Sequence, residues 1–170
     1  MSENNPTYLM MLGTGRGLAY VMRERKMAFP PTRRIRLEVG DQLLLYMTRN
    51  VFGSPSRDRG RVVGTAQVAS PIMPLERERH IGGRSYTSGC ELNITGLAPL
   101  GEGIVLADIV DQLRVFQPDP RTWSARMRRS VLALPAEDAA LIHKQLEPLL
   151  LDPEKTVGLY LERAESARRG

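Results

Sequence analysis

An aromatic ring, a hydroxyl, a guanidinium and an amide occur close together between positions 46 and 50. Tyr46 and Thr48 fall on one face of a predicted strand at its outgoing end, and Arg49 and Asn50 follow directly. A protein holds a flipped nucleobase by stacking an aromatic ring on it, by hydrogen bonds to its edge and by neutralising the adjoining phosphate. This grouping therefore predicts a nucleobase site. A packing role in the core is the alternative for Tyr46, and equally for Trp123, the single tryptophan.

Positive charge is concentrated in two stretches of the chain. The formal net charge is +5 and the sequence pI is about 9.8. The first stretch contains Arg23, Arg25, Lys26, Arg33, Arg34 and Arg36, and the second contains Arg121, Arg126, Arg128 and Arg129. The guanidinium fork suits phosphate groups and base edges, so the two stretches predict a phosphate-binding surface. An arginine-rich surface that is merely solvated is the alternative.

The common nucleotide and metal motifs are missing from this chain. The segment 13–17 has neither the G-x-G-x-x-G spacing nor the Lys-Ser/Thr pair of a P-loop. We expect it to form a rim where Thr14 and backbone N–H groups face a ligand. His80, His143 and Cys90 have no zinc-binding spacing. No metal, cofactor or catalytic motif is therefore expected, and the single cysteine is consistent with a cytoplasmic protein.

Hydrophobic periodicity predicts one α+β domain, with no apolar run long enough to cross a membrane. Strands are expected over Thr7–Leu12, Gln42–Thr48, Arg61–Ser70 and Cys90–Gly96. Helices are expected over Leu18–Met27, Ile104–Leu113 and Pro135–Leu150, with Trp123–Leu134 either helix or strand. In the strand from Arg61, one face is expected to carry Val62, Gly64, Ala66 and Val68. The domain is expected over 7–151, between a flexible N-terminus (1–6) and a charged, peripheral, helical tail (152–170). Within the domain, a long surface excursion is expected over 71–89.

Three ordered stretches resemble the EVE domain of the PUA-like superfamily, which also holds the YTH and ASCH domains. Val39–Thr48 resembles the family's Gly-Asp turn and the hydrophobic strand that ends in Tyr, and Arg61–Val68 resembles its strand with alternate Gly and Ala. Arg129–Val131 and Pro135–Ile142 resemble its late strand and final helix. The resemblance implies a PUA-like small mixed β-barrel with helices packed around it. It also implies a pocket at the barrel mouth that recognises a modified base in DNA or RNA.

The resemblance also implies particular site residues. Arg33 falls where the family has a basic residue before the Gly-Asp turn, and Arg129 and Ser130 fall on its pocket-side segment. Together with the residues above, the predicted nucleobase-binding set is Thr14, Tyr46, Thr48, Asn50, Trp123, Arg129 and Ser130. The predicted phosphate-binding set is Arg33, Arg34, Arg49 and Arg126. The stretch Met27–Pro31 departs from the family, which often has Trp and Asn-Tyr there.

The sequence leaves two other functions open. ASCH relatives include small amidohydrolases that act on acylated cytosine nucleosides with Lys, Glu and Thr. The corresponding candidates here are Lys26, Glu38 or Glu91, and Thr48 or Thr65, if the fold brings them together. A protein-interaction module is the other alternative, with the excursion over 71–89 and the tail from 154 as partner surfaces.

Overall fold

Eight strands form one curled, mixed sheet in the computed structural model, which describes residues 5–31, 35–81 and 83–169. The strands are β1 (Thr7–Leu12), β2 (Lys26–Phe29), β3 (Gln42–Met47), β4 (Arg61–Val68), β5 (Met73–Ile81), β6 (Arg84–Leu97), β7 (Ile104–Val105) and β8 (Val131–Leu134). Their order is β2-β6-β4-β3-β1-β8, with β5 paired to β6 and β7 paired to β4. β1 and β3 are parallel, and the other described pairs are antiparallel. The sheet is a half-barrel.

Four helices pack around this sheet and complete two hydrophobic cores. They are α1 (Gly15–Glu24), α2 (Trp123–Arg126), α3 (Ala136–Leu146) and α4 (Pro153–Arg169). Because side chains alternate along a strand, Met10 enters the first core and Met11 the second. α1 and α4 close the first core, whereas α3 and the short 3-10 turns at 106–116 close the second. Within the described residues no helix combines the length and apolar character that a membrane crossing needs.

A β-bulge interrupts the alternation predicted for β4. Val62 and Gly64 lie opposite consecutive residues of β3, so Val63 is an extra residue. Val62 consequently packs in the second core, whereas Ala66 and Val68 pack in the first. The prediction that these three share a face was wrong, because strict alternation holds only where no residue is inserted.

The first helix is shorter than predicted, and a strand follows it. Arg25 adopts a left-handed backbone (φ 55°) and caps α1, with its N–H donating to the Val21 carbonyl at 3.0 Å. Its guanidinium donates to the Glu154 carboxylate at 3.1 Å. The chain therefore turns into β2 instead of continuing the helix. Because non-glycine residues rarely adopt this conformation, the periodicity did not indicate the turn.

The stretch predicted as a surface excursion is an exposed β-hairpin. β5 pairs with the first half of β6, with a shift of register between Pro74 and Arg79. We call β5 and its paired part of β6 the hairpin. Most residues of β5 are exposed, so no apolar alternation indicates a strand.

Two later segments also differ from the prediction. The helix expected over 104–113 is β7 followed by 3-10 turns, whose buried residues are Leu106, Ile109, Val110 and Leu113. A spacing of three or four residues fits both kinds of helix, so the pattern could not separate them. The ambiguous segment 123–134 holds both alternatives, since α2 and β8 lie within it.

The C-terminal segment is helical as expected, but it is part of the first core and not peripheral. Tyr160 is fully buried, and its hydroxyl donates to the Ala98 carbonyl at 2.7 Å. Ala164 of the same helix is also buried, and α4 packs along α1. Because charged residues surround these few buried positions, the composition of the segment suggested a solvated tail.

Candidate functional site

Three segments of the chain meet at one edge of the sheet. β1 and β3 are parallel, so the residues that follow them, Gly13 and Thr48, emerge at the same edge. β8 runs antiparallel to β1, so Ser130, which precedes β8, lies at that edge too. Backbone hydrogen bonds fix the arrangement: Met11 N–H donates to the Ser130 carbonyl at 3.0 Å, and Thr48 N–H donates to the Leu12 carbonyl at 3.1 Å.

A cleft with a volume of about 720 Å³ opens at this edge. Residues of the three segments described above line it, together with residues of α1, β2 and the hairpin. The apolar residues that line it include Met11, Met27 and Met127. Methionine is flexible and polarizable, so such a lining adapts to the flat face of a ring. We refer to this site as the cleft.

The charged groups of the cleft are all positive. Arg84 lines it from the hairpin, and Arg128 and Arg129 line it from the segment before β8. None of the described residues that line the cleft is acidic. Guanidinium groups attract an anion, and phosphate oxygens match their fork. The cleft therefore combines an apolar lining with a cationic rim.

Two threonines contribute hydroxyl groups to the lining of the cleft. Thr14 caps α1, since its Oγ1 accepts from the Gly17 N–H at 3.0 Å, and it is exposed beside the cleft. The Oγ1 of Thr48 is shielded from solvent and has no hydrogen-bond partner among the described residues. A buried hydroxyl without a partner is unusual, because an unmet hydrogen bond costs free energy. Thr48 thus has unused hydrogen-bonding capacity at the cleft.

Two aromatic residues that the sequence did not single out also line the cleft. Tyr20 comes from α1 and Tyr86 from the hairpin. Both are partly buried, so their rings are held by packing while part of each remains accessible. Arg84 and Tyr86 were missed because their stretch read as a surface excursion. Tyr20 carried no signal beyond its position on a helix.

The structure brings four of the predicted nucleobase residues together in the cleft. They are Thr14, Thr48, Arg129 and Ser130. Tyr46 does not line the cleft: it packs in the second core with 4% of its surface exposed, and burial raises the pKa of its hydroxyl to about 12. The chain turns at Thr48, whose carbonyl accepts from the Val51 N–H, so the alternation that grouped Tyr46 with Thr48 ends there.

The other predicted residues lie away from the cleft or outside the described residues. Trp123 packs edge-on against Phe116, with ring centroids 6.1 Å apart. Arg126 donates to the Val115 carbonyl. Arg49 and Asn50 are exposed in the turn after β3. Arg33 and Arg34 lie outside the described residues.

The residues considered for an amidohydrolase are dispersed. Lys26 and Glu91 are cross-strand partners on β2 and β6. The hydroxyl of Thr65 is paired with that of Thr95 at 2.7 Å, and Thr65 lies opposite Gly96, five positions along β6 from Glu91. Thr48 lines the cleft, whereas neither Lys26 nor Glu91 does. The described residues also include no group of three His, Cys, Asp or Glu side chains that could hold a metal ion.

Comparison with known sequences gives limited information. No family profile matches the chain. Actin-related protein 8 from Danio rerio is 30% identical over 109 residues, a segment that is 62% of this chain and 16% of that protein. The chain therefore spans less than a fifth of the curated relative that it matches.

Comparison with solved structures identifies the fold. A hypothetical protein from Leishmania major superposes with a TM-score of 0.56 at 15% identity, covering 87% of this chain and 98% of that one. The DUF55 domain of human thymocyte nuclear protein 1 gives 0.53 at 11% identity, covering 83% and 98%. Human THYN1 protein, solved in complex with DNA that contains 5-methylcytosine, gives 0.53 at 10% identity, covering 84% and 98%. The likeness confirms the fold predicted from the ordered sequence stretches.

Proposed function

We propose that this chain, which has the PUA-like fold of the EVE (DUF55) domain, binds nucleic acid through the cleft and accommodates a modified base there. The observation that carries the proposal is the composition of the cleft: Arg84, Arg128 and Arg129 line it, and none of its described lining residues is acidic. A similarly folded human protein in complex with methylated DNA supports the same interpretation.

The cationic rim accounts for binding to the strand. Phosphate contacts by arginine supply most of the sequence-independent affinity for nucleic acid, and this contribution falls as salt rises. Arg84 comes from the hairpin and Arg129 from the segment before β8, so a strand bound at the cleft would meet guanidinium groups from two elements. This part of the proposal requires no base recognition.

The interior of the cleft accounts for preference among bases. The methionine residues offer an apolar lining to a base and its methyl group, and Tyr86 offers a ring face for stacking. The unpartnered Thr48 hydroxyl offers one hydrogen bond to a polar base edge. A base can lie flat there only if it is unstacked, so the expected ligand is single-stranded or flipped out of a duplex.

Fluorescence anisotropy tests both parts of the proposal. Labelled single- and double-stranded DNA and RNA would be titrated with and without 5-methylcytosine or N6-methyladenine, at two salt concentrations. We expect binding that weakens with salt and a preference for one modified base that persists at the higher salt. Equal affinity for every modified and unmodified pair at both salts would rule out base recognition.

A charge-matched pair of variants links the binding to the cleft. Arg129→Gln removes a guanidinium from the cleft, and Arg121→Gln removes one that is 90% exposed and pairs with Asp119 outside it. We expect the first variant to lower affinity and the salt slope by about one unit, and the second to change neither. Equal losses in both variants would mean that binding depends on net charge alone.

A further inference from the structure

A second, smaller cavity lies between α1, α4 and the far end of the hairpin. Its volume is about 240 Å³, and we refer to it as the crevice. Tyr20 and Ile81 line both the crevice and the cleft, so the two cavities adjoin. The side chains of Tyr20 and Ile81 therefore lie between the two cavities, and consecutive groups of one strand could occupy the cleft and the crevice.

Positive charge lines the crevice from two elements. Arg16, Tyr20 and Arg23 are spaced four and three residues apart on α1, so they share one face of the helix. Arg79 reaches over from β5, and its guanidinium carbon lies 5.3 Å from the centre of the Tyr20 ring. Stacking on a ring occupies the flat face of a guanidinium and leaves its N–H edges able to donate.

The arginines of the crevice are not engaged with its acidic residues. Glu24 and Glu165 also line it, so three arginines face two carboxylates. Among the residues that the structure describes, no salt bridge joins Arg16, Arg23 or Arg79 to a carboxylate. An anion in the crevice would therefore meet guanidinium donors that are not already paired with a carboxylate of the described residues.

We propose that the crevice binds the phosphate that adjoins the nucleotide whose base occupies the cleft. This inference rests on the proposed function and extends it, because it makes the ligand a strand that runs beneath the hairpin. The crevice is about a third of the volume of the cleft, which suits a phosphate group better than a second base. Arg23 and Arg79 are the residues expected to donate to it.

The test removes one charge at a time, either a phosphate charge from the nucleic acid or an arginine charge from the protein. A labelled single strand of about ten nucleotides, a length within the range that OB folds cover, would carry one 5-methylcytosine or N6-methyladenine, whichever binds best. An uncharged methylphosphonate would replace either a phosphate beside the modified base or one at the end of the strand. We expect the adjacent replacement to weaken binding roughly tenfold, the value of one charge-assisted hydrogen bond, and the terminal one to have little effect.

Protein variants locate that phosphate. Arg23→Gln and Arg79→Gln, both at exposed positions, should each weaken binding to the natural strand and show little further loss with the adjacent methylphosphonate. Lys144→Gln removes one charge from α3, which closes the other core, and should retain the full sensitivity of the unmodified protein. Arg129→Gln, in the cleft, should bind more weakly yet remain sensitive.

The possible failures can be distinguished. If Arg23→Gln and Arg79→Gln lose as much affinity with the adjacent methylphosphonate as the unmodified protein does, the crevice does not hold that phosphate, while binding in the cleft stands. If no strand binds the unmodified protein, the proposed function is wrong and this inference falls with it. Circular dichroism and melting curves would establish that the variants are folded.

Discussion

The backbone N–H of Thr48 donates a hydrogen bond of 3.1 Å to the Leu12 carbonyl. The hydroxyl of Thr48 is buried beside the cleft and has no partner among the described residues. The backbone bond fixes the residue that follows β3 against the end of β1. Its position therefore does not depend on the hydroxyl. The side chain can be altered to test ligand binding separately from folding.

Thr48→Val keeps the shape of the side chain and removes the hydroxyl. Because that hydroxyl is unpaired, we expect the free energy of unfolding to stay the same or rise by up to about 1 kcal/mol. Preference for the modified base should fall, whereas Thr48→Ser, which keeps the hydroxyl, should retain it. Urea unfolding and anisotropy would measure the two effects. A Thr48→Val protein with unchanged preference would remove Thr48 from the site.

Gly13 offers a way to fill the cleft without disturbing the core. A Cβ atom built at this position meets no other atom within 4 Å, and the residue lines the cleft. Gly13→Ala should leave the free energy of unfolding within about 1 kcal/mol of the original, and Gly13→Leu should lower the affinity for nucleic acid because its side chain occupies the site. Both quantities come from urea unfolding and anisotropy.

Gly158→Ala is the matched control for the change at Gly13. Gly158 is exposed on α4, and a Cβ there also meets nothing within 4 Å. The variant should be more stable by up to about 1 kcal/mol, because alanine favours a helix interior, and should bind as before. A Gly13→Leu protein that binds as tightly as Gly158→Ala would show that the ligand lies elsewhere.

Tyr46 should contribute to the loss of stability at high pH. Burial raises the pKa of its hydroxyl from 10.0 to about 12, so the folded state favours the neutral form. The stability linked to this group is complete below pH 10 and is lost as the pH rises towards 12. Unfolding free energies from urea titrations between pH 9 and 12 should fall less steeply for Tyr46→Phe. The remaining slope includes Cys90, whose pKa burial raises to about 11. Parallel curves for the two proteins would contradict the assignment.

The C-terminal helix should be required for a stable fold. Truncation after Leu151 removes Tyr160 and Ala164 from the first core, and we expect the shortened chain to lose cooperative thermal unfolding. Tyr160→Phe leaves the Ala98 carbonyl without its donor and should cost about 1–3 kcal/mol. Leu159→Ala, at a position that is 49% exposed, is the control and should change little. An unchanged melting transition in the truncated chain would overturn this expectation.

The sequence predicted the fold wherever one physical signal dominated. β1, β3 and β4 were predicted from apolar runs, and α3 from its proline start and apolar stripe, because burial against the sheet sets those patterns. The left-handed Arg25 and the inserted Val63 left no such trace, since each depends on contacts made by distant segments. The hairpin was missed because neither of its faces is consistently buried, so no apolar pattern in the sequence indicates its strands.

The cleft was predicted in part for the same reasons. Thr48 followed from the grouping of polar residues at the end of its strand, Arg129 and Ser130 from the family resemblance, and Thr14 from its glycine-rich surroundings. Tyr46 was predicted to stack on a base because alternation places it on the same strand face as Thr48. Alternation alone does not show which face of a sheet opens to a ligand, and Tyr46 proved to be buried in the second core. Arg84 and Tyr86 are brought to the cleft by the hairpin, so only its three-dimensional course relates them to the other residues.

The pairing of β1 with β8 has a consequence for how the chain acquires its structure. Thr7 lies opposite Leu134, and α1 packs against α4. The early elements β1 and α1 therefore pair and pack with elements that follow much later in the sequence. Contacts of such long sequence separation slow the folding of a domain. During synthesis, β1 and β3 can pair early, whereas β8 and α4 can join them only after their own residues have left the ribosome. The edge where the cleft forms is therefore completed after β1 and β3 have paired.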